Sequence, residues 1–563
     1  MSARRWILLA LTGALAATLF AWPAQQSAPP SIDAAFERVT LAPQFEVVGH
    51  RVLSGQVPDQ LLVVGAQGQA SLWRSGGSSA GGELAAQVTF AHPERTLVDS
   101  GEWNARRYVV TAGPQGVLAF ACAEQGFASD SPSVWIARAR FALRVGSPQL
   151  TSMVQDVNRD GAPDIVLPTP RACELWLAGP VDEQGRPTFR KAATLSVEVT
   201  RWGAREGEHL SDRLESSFAI PGLETRDVNG DGRPDLLVTQ EQRRAFHLQR
   251  ADGSFPLEPD VQVDLSIFRD TTEAGGVRLG GVLSASDRAS WSSRDLDRDG
   301  IPDYVIGHRR KVWVFRGGAQ GPQFKEPAAI LKTAEDITVL SVLELDDDQH
   351  PDLLLVKVQV PTLATLLRGL FGEWDVRIGA LGYRNKGDAT FETAPKWSNE
   401  LTVRLPGIVG LVKNPEKILE RFTELEKRFR VFTRGDLDGD GASDVLVASE
   451  DTTRAELWNG AQGDESSTRT ERKVRQILFD DKNTTWDVDR VVGALGSFAQ
   501  RRIALLTGGR PADGALALRD PAQFELFALE CAELSGDARA EVVIGYRRGA
   551  SGRACVFDVL TRR

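Results

Sequence analysis

Four nine-residue segments place Asp or Asn at positions one, three and five, Gly at position six and Asp at position nine. They are loop A (156–164), loop B (227–235), loop C (295–303) and loop E (436–444). Oxygen donors at positions one, three, five and nine, with the carbonyl of position seven, can surround a hard cation, and calcium takes roughly six to eight oxygens in flexible geometry. Glycine permits the positive φ of a sharp turn. The loops predict four structural Ca²⁺ sites with the ligands Asp156, Asn158, Asp160, Ala162, Asp164, Asp227, Asn229, Asp231, Arg233, Asp235, Asp295, Asp297, Asp299, Ile301, Asp303, Asp436, Asp438, Asp440, Ala442 and Asp444.

The residues after each loop exclude an EF-hand, which needs a bidentate Glu at position twelve and flanking helices. Position twelve is apolar in all four cases, being Leu167, Val238, Ile306 and Val447. The closing Asp opens a short apolar run, which is typical of a buried strand. Each loop is therefore predicted to be the tip of a hairpin between two strands.

Weaker copies of the same unit occur elsewhere. Loop D (344–352) keeps the acids but has Gln349 in place of the glycine, so we predict a weaker metal site from Glu344, Asp346, Asp348 and Asp352. A further copy at 533–541 has poorer ligands, and eroded copies precede the apolar runs 61–63 and 108–110. These copies extend the repeat along the chain.

Each unit continues with a strand that often carries a tryptophan, as at Trp73, Trp176, Trp313 and Trp458, and then a glycine-rich turn. Strand, acidic hairpin, two further strands, a turn and a last strand describe a four-stranded propeller blade. The tryptophans could form a ligand-binding ring, but aromatic residues at a fixed position more often pack between neighbouring blades. The sequence thus predicts an all-β chain of four-stranded blades.

The four intact loops and the turns at 251–255 and 386–391 resemble the FG-GAP/VCBS repeat family, found in integrin α-chain propellers and many bacterial secreted proteins. The resemblance extends over about residues 36 to 563. It implies a β-propeller with calcium in the hairpins. It implies no particular activity, because the same scaffold serves adhesins, lectins and lyases.

The two ends of the chain predict how the propeller closes. The last unit stops after its third strand at 554–559, and residues 35–41 form a strand without a hairpin of its own. Pairing them would remove exposed edges. We therefore expect residues 31–563 to form one propeller of eight blades, with seven as the alternative.

Residues 1–30 are predicted to be a signal peptide or an N-terminal anchor, because Arg4 and Arg5 precede an apolar stretch from Trp6 to Trp22. Export to the periplasm, the cell surface or the medium suits calcium binding. The formal net charge of −10, without a basic stripe, argues against nucleic acid as a partner. Four cysteines permit two disulfides or free thiols.

Residues 357–430 interrupt the repeat with a partly helical insertion. Leucines in 362–371 share one helical face, and Asn414-Pro415 begins a second amphipathic pattern. The two helices either pack on the propeller or dock a partner or a membrane surface.

No catalytic residues are predicted. The six histidines lack metal-binding spacing, Gly77-Ser78-Ser79-Ala80-Gly81 lies in a turn without a following helix, and the loops account for the acidic pairs as metal ligands. Arg434-Gly435-Asp436 spells an adhesion tripeptide, but Asp436 is a predicted calcium ligand. The sequence favours an exported, calcium-binding, non-catalytic binding or adhesion scaffold with an extracellular protein or polysaccharide ligand. The alternatives are a lyase-type polysaccharide-active enzyme, a lectin and a purely structural envelope protein.

Overall fold

A computed structural model of the chain describes residues 29–563, apart from 76–81, 269–288, 359–372, 406–429, 461–484, 487–502, 549–553 and gaps of one to three residues. The described chain is all-β, and short 3-10 turns at Asp33–Ala35, Pro93–Arg95 and Leu265–Ile267 join some of its strands. Eight sheets of three to five strands follow one another along the described chain, with one two-stranded hairpin between two of them. They are the blades of a β-propeller, as predicted.

The first two blades follow strand β1 (Phe36–Pro43). They comprise β2 (Val47–Leu53), β3 (Gln60–Gly65), β4 (Gln69–Trp73), β6 (Val88–Thr89), β7 (Leu97–Trp103), β8 (Arg106–Gly113), β9 (Gly116–Ala121), β10 (Ser133–Ile136) and β11 (Gln149–Leu150). Strand β5 (Gly82–Leu84), between β4 and β6 in the chain, belongs to the sheet of β1. Strands β5 and β11 add parallel edges, to β1 and β7 respectively.

Blades three and four are antiparallel sheets in chain order, separated by the hairpin of β16 and β17. Their strands are β12 (Val154–Gln155), β13 (Asp164–Pro168), β14 (Ala172–Val181), β15 (Pro187–Ser196), β16 (Val199–Glu206), β17 (His209–Phe218), β18 (Gly222–Arg226), β19 (Asp235–Gln240), β20 (Arg243–His247) and β21 (Val261–Asp264).

The last four blades contain β22 (Ser290–Arg294), β23 (Asp303–Phe315), β24 (Ala329–Ile337), β25 (Val339–Leu343), β26 (Asp352–Val358), β27 (Trp374–Tyr383), β28 (Trp397–Leu405), β29 (Phe432–Gly435), β30 (Asp444–Ala448), β31 (Arg454–Trp458), β32 (Thr485–Trp486), β33 (Gly514–Ala517), β34 (Phe524–Ala532), β35 (Glu541–Arg548) and β36 (Ala554–Arg562). Strand β32 pairs with β28 of the sixth blade. Strands β27 and β28 lie within the predicted insertion 357–430, whereas its two predicted helices fall outside the described residues.

The second strand of a blade is buried on both faces, which explains its uninterrupted apolar run. Every residue of β3, β13 and β30 is buried. A strand covered by neighbours on both sides gains from an apolar side chain at every position, not only at alternate ones. The acidic loops thus precede buried strands, as their sequence predicts.

Apolar side chains of successive blades share single clusters. Leu296 and Val305 of the fifth blade, for example, pack with Leu353 and Leu355 of the sixth. Trp73 is buried in such a cluster, and Trp176 and Trp313 pack against others. Trp458 is buried among residues of its own blade. The first three tryptophans therefore have the packing role between blades that their spacing favours.

The two ends of the chain meet in the eighth blade. Strand β1 pairs antiparallel with β36, from Phe36 opposite Arg562 to Leu41 opposite Phe557, which confirms the predicted closure. The fully buried Asp558 carboxylate accepts hydrogen bonds from Thr40 (2.8 Å) and Arg519 (2.9 and 2.7 Å). A buried, charge-assisted network therefore holds the ends together.

Candidate metal centres

Each acidic loop joins the first and second strands of a blade. Positions four and six have positive φ in every intact loop: Arg159 and Gly161, Gly230 and Gly232, Arg298 and Gly300, Gly439 and Gly441. A side chain with Cβ is strained there, so glycine suits both positions. The glycine at position six is the signal that the sequence provides, and the left-handed residue at position four is visible only in the structure.

The carboxylate at position one is held by main-chain amides inside the turn. In loop C, Asp295 Oδ1 accepts from Arg298 N (2.6 Å) and Oδ2 accepts from Gly300 N (3.0 Å). In loop E, Asp436 accepts from Gly439 N (2.7 Å) and Gly441 N (2.8 Å). These bonds fix the carboxylate toward the middle of the loop.

The amides also set the protonation state of Asp436. Burial alone would raise its pKa, but the hydrogen bonds from Gly441, Gly439, Asp440 and Asp438 outweigh burial and lower the pKa below its usual value of 3.8. Hydrogen bonds to a carboxylate favour its charged form. Asp436 is therefore an anionic oxygen donor at neutral pH.

Loop C brings three carboxylates together. One oxygen each of Asp295, Asp297 and Asp299 lies within 4.8 Å of the others. Calcium binds oxygens at about 2.3–2.6 Å, so two ligands on opposite sides of the ion are about 5 Å apart. The donor set and its spacing fit calcium.

Loop E forms a similar cluster from Asp436, Asp438 and the buried Asp444. Arg562 lies nearby, with Nη1 3.4 Å from Asp438 Oδ2. This loop therefore assembles positions one, three and nine, whereas loop C assembles positions one, three and five.

Loops A and B have asparagine at position three. The Asn158 amide donates to Asp160 Oδ2 (2.8 Å), and the Asn229 amide donates to Asp231 Oδ2 (2.9 Å). Arg233 also contacts the Asp231 carboxylate. These loops offer the predicted oxygens with less negative charge than loops C and E.

The main-chain N–H of the residue at position seven is hydrogen-bonded to the carboxylate at position five. The N–H groups of Ala162, Arg233, Ile301 and Ala442 donate to the carboxylate two residues earlier at 2.8–2.9 Å. Ligation by their carbonyl groups remains a prediction.

The closing aspartate has a structural role that the ligand pattern does not reveal. The position-nine aspartates are at most 2% exposed, and each accepts two main-chain hydrogen bonds. Asp303, for example, accepts from Leu296 N at position two (3.0 Å) and from Gly317 N just after β23 (3.0 Å). The same pair of bonds occurs at Asp164, Asp235, Asp352 and Asp444. In those four blades the second donor lies in or just after the third strand, so the closing aspartate connects three strands.

Burial strongly perturbs these closing carboxyl groups. It raises the pKa of Asp164 and of Asp352 from 3.8 to about 7 and that of Asp303 to about 6, although the amide hydrogen bonds oppose it. Nearby loop carboxylates add to the increase. A divalent cation would favour the charged form of these groups.

Loop D differs from the others because two basic side chains reach its acids. Lys396 Nζ lies 2.7 Å from Asp346 Oδ2, and Arg384 lies 3.2 Å from Asp346 and 3.0 Å from Asp348. Oxygens of Glu344, Asp346 and Asp348 are within 4.8 Å of one another. Sequence spacing could not reveal these partners, which lie 36 to 50 residues away along the chain.

The adhesion tripeptide is part of this scaffold. Arg434 and Gly435 belong to β29, and a Cβ on Gly435 would meet Cys531 Cβ at 2.7 Å. Asp436 opens loop E, and its carbonyl accepts from Ala540 N (2.7 Å). The tripeptide is thus packed against the eighth blade. The serine turn at 77–81 lies outside the described residues.

Comparisons with known proteins agree with this repeat. Residues 295–355, which begin at loop C and include loop D, match the family described as FG-GAP-like repeat. A search of curated protein sequences gives no match. No described helix has the length and apolarity needed to cross a membrane.

Three solved structures are similar to the chain at low identity. An Agrocybe aegerita lectin specific for non-reducing terminal N-acetylglucosamine has 14% identity and a TM-score of 0.27, over 65% of this chain and 92% of the lectin. Bacillus licheniformis rhamnogalacturonan lyase PL11 has 10% identity and a TM-score of 0.21, over 73% of this chain and 60% of the lyase. Kluyveromyces lactis Hsv2 has 7% identity and a TM-score of 0.21, over 83% and 98% of the two chains.

Proposed function

We propose that this FG-GAP-like repeat propeller is an exported binding scaffold whose acidic hairpins are stabilised by calcium. The observation that carries the proposal is loop C, where three carboxylates converge at a spacing that fits one calcium ion. Loops A, B and E repeat oxygen donors at the same positions, with Asn in place of Asp at position three of loops A and B.

Calcium suits these loops better than magnesium. The proposed donors are carboxylate, amide and main-chain oxygens on a nine-residue turn. Magnesium demands near-ideal octahedral geometry and keeps several water ligands, whereas calcium accepts many oxygens in irregular geometry. A calcium ion would also relieve repulsion between the convergent acids.

The ion would act on structure and not on chemistry. Each loop joins the first two strands of a blade, and its closing aspartate already accepts a main-chain hydrogen bond from farther along the blade. A cation bound by the same turn would stabilise the position of the hairpin in its blade. Because metal binding to the folded state adds to folding stability, chelation should loosen these hairpins first.

Export and a non-catalytic role complete the proposal. Residues 1–30 have the composition of a signal peptide or anchor, and extracellular modules can use calcium at millimolar concentration. The position-one carboxylates of loops C and E are bonded to main-chain amides, and Asp346 of loop D contacts a basic side chain, which suits ligands and structural anchors better than acid–base groups. The partner would be an extracellular protein or polysaccharide.

Two measurements test these claims in order. Native mass spectrometry of the mature chain, exchanged from EGTA into calcium, should count four bound ions, and calcium should raise the melting temperature. A glycan and extracellular-protein binding screen in calcium and in EGTA then identifies the partner. The absence of bound calcium would refute the metal role, and cleavage of a bound polysaccharide would favour the lyase alternative over a non-catalytic scaffold.

A further inference from the structure

Loop D has the acids of a metal loop, but basic side chains already occupy the space near them. Asp346 Oδ2 contacts both Lys396 Nζ (2.7 Å) and Arg384 Nε (3.2 Å), and the Asp346 side chain is only 12% exposed. Arg384 Nη2 also donates to Asp348 Oδ2 (3.0 Å). Two positive charges thus contact the carboxylates at positions three and five, and together they equal the charge that one calcium ion would supply.

The equivalent position in two other blades is apolar. The second amide bonded by each closing aspartate aligns the blades: Asn385 N for Asp352, Ala178 N for Asp164 and Gln249 N for Asp235. The residue just before that amide is Arg384 in loop D's blade, but Leu177 and Leu248 in those of loops A and B. Both leucines are buried.

Loops C and E have polar residues at the aligned position, but the contacts of these residues differ from those of Arg384. Arg316 is exposed and donates to the Asp388 carbonyl (2.7 Å) in the next blade. Asn459 accepts from the Arg510 and Arg562 side chains. Among the described ion pairs, loop D alone has two basic side chains on the carboxylates of positions three and five.

The missing glycine of loop D is also compensated by a basic side chain. Gln349 at position six keeps the left-handed conformation, with φ 66°, which is strained for a residue with Cβ. Arg298, at position four of loop C, donates to the Gln349 carbonyl (3.0 Å) and to its side-chain oxygen (2.9 Å). Arg298 of loop C therefore stabilises the turn of loop D through two hydrogen bonds.

We propose that loop D is a metal-independent copy of the acidic loop, in which Arg384 and Lys396 take the place of the cation. The acids of this loop then do not fit an additional calcium ion, because a third positive group would meet two others at short distance. Loop D would keep its shape in chelator while loops A, B, C and E loosen. This inference rests on the proposed calcium role of those four loops.

The test compares the same isosteric change at position three of two loops. Asp346→Asn in loop D should leave the number of bound calcium ions unchanged by native mass spectrometry and lower the melting temperature equally in calcium and in EGTA. The matched control Asp297→Asn in loop C should weaken one calcium site, so that its ion is lost first as calcium is lowered, and should lower the melting temperature mainly in calcium. Loss of one ion from Asp346→Asn would overturn the proposal.

A gain-of-site variant tests the reason for this behaviour. Arg384→Leu with Lys396→Met removes both positive charges, and leucine is the residue found in the blades of loops A and B. We expect this variant to bind one calcium ion more than the wild type, to melt lower in EGTA and to recover in calcium. An unchanged ion count would contradict the proposed exclusion of calcium by the two cations. If the double variant does not fold, Lys396→Met alone should show the recovery in calcium, and its absence counts against the proposal.

Failure of the calcium role is distinguishable from failure of this inference. A wild-type chain without bound calcium refutes the former only. Loop D would then still depend on its ion pairs, so Asp346→Asn must lower the melting temperature in EGTA. An unchanged melting temperature would overturn the inference by itself.

Discussion

Asp99 and Arg51 form an ion pair between β2 of the first blade and β7 of the second. Arg51 on β2 contacts Asp99 Oδ1, and Asp99 on β7 is 3% exposed. The second oxygen of Asp99 accepts from Met153 N (2.6 Å) and Val154 N (2.7 Å) at the start of the third blade, and Arg51 donates to the Thr151 carbonyl (3.2 Å). One buried carboxylate therefore connects three successive blades.

We predict that Asp99→Asn destabilises the propeller without affecting calcium binding. Removing one charge of a buried, hydrogen-bonded pair costs about 3–5 kcal/mol, and the partial exposure of Arg51 reduces this to about 2–4 kcal/mol. Urea unfolding in calcium and in EGTA should give the same loss. A double-mutant cycle with Arg51→Met measures the coupling, and additive losses would show that the pair does not act as a unit.

We predict that substitution of a closing aspartate also lowers the free energy of unfolding without calcium. Asp303→Asn keeps one acceptor but sets an amide NH₂ against a main-chain N–H, at a site that is 2% exposed. An unsatisfied buried donor costs about 1–3 kcal/mol. We expect a loss of about that size in the free energy of unfolding in EGTA. A loss seen only in calcium would mean that Asp303 acts mainly as a ligand.

Substitutions at positions one and three should differ in their response to calcium. Asp436→Ala removes a proposed ligand and also the acceptor of two amides, so it should lower the melting temperature in calcium and, to a smaller extent, in EGTA. Asp438→Asn keeps a side-chain oxygen, as Asn158 does in loop A. It should act mainly in calcium, with a small loss in EGTA from the weakened contact with Arg562, as measured by melting curves in both buffers. Equal effects of Asp438→Asn in both buffers would contradict a metal role for loop E.

We predict that His247 contributes to the loss of folding stability at acidic pH. It is 2% exposed, and its Nδ1 lies 3.0 Å from the Pro256 carbonyl. Burial lowers its pKa below 6.5, more than the Pro256 carbonyl, Asp260 and Glu258 raise it. Below pH 6.5 the imidazole of His247 binds a proton in the unfolded chain but stays neutral in the folded chain. The contribution of the neutral His247 to stability is therefore present above pH 6.5 and is lost as the pH falls.

The measurement compares His247→Gln with the wild type between pH 8 and pH 5 in EGTA. Buried closing carboxyls such as Asp164, with a pKa of about 7, act in the opposite direction, because protonation favours the folded state. That contribution is common to both proteins, so the difference between their unfolding free energies isolates His247. The variant should lose less stability on acidification, and parallel curves would exclude titration of His247.

The sequence alone predicts the local part of this protein. The acidic loops, their turns and the apolar strands that follow depend on spacings of a few residues, so their chemistry can be read directly, as in Asp295, Asp297 and Asp299. The strand at 35–41 predicts closure because both ends of the repeat lack a partner. From these features the sequence predicts the β-propeller, the FG-GAP-like repeat and the candidate calcium ligands.

Only the tertiary structure decides which acids are free to hold a cation. Asp346 and Asp297 occupy the same position in their loops, yet Lys396 and Arg384 reach only the former. Those partners lie 50 and 38 residues from Asp346, on other parts of the blade, and no periodicity in the sequence encodes their approach. Burial of the closing aspartates likewise depends on how strands pack around them. A carboxylate takes its role from the charges and amides that the fold brings to it, and these come from distant parts of the chain.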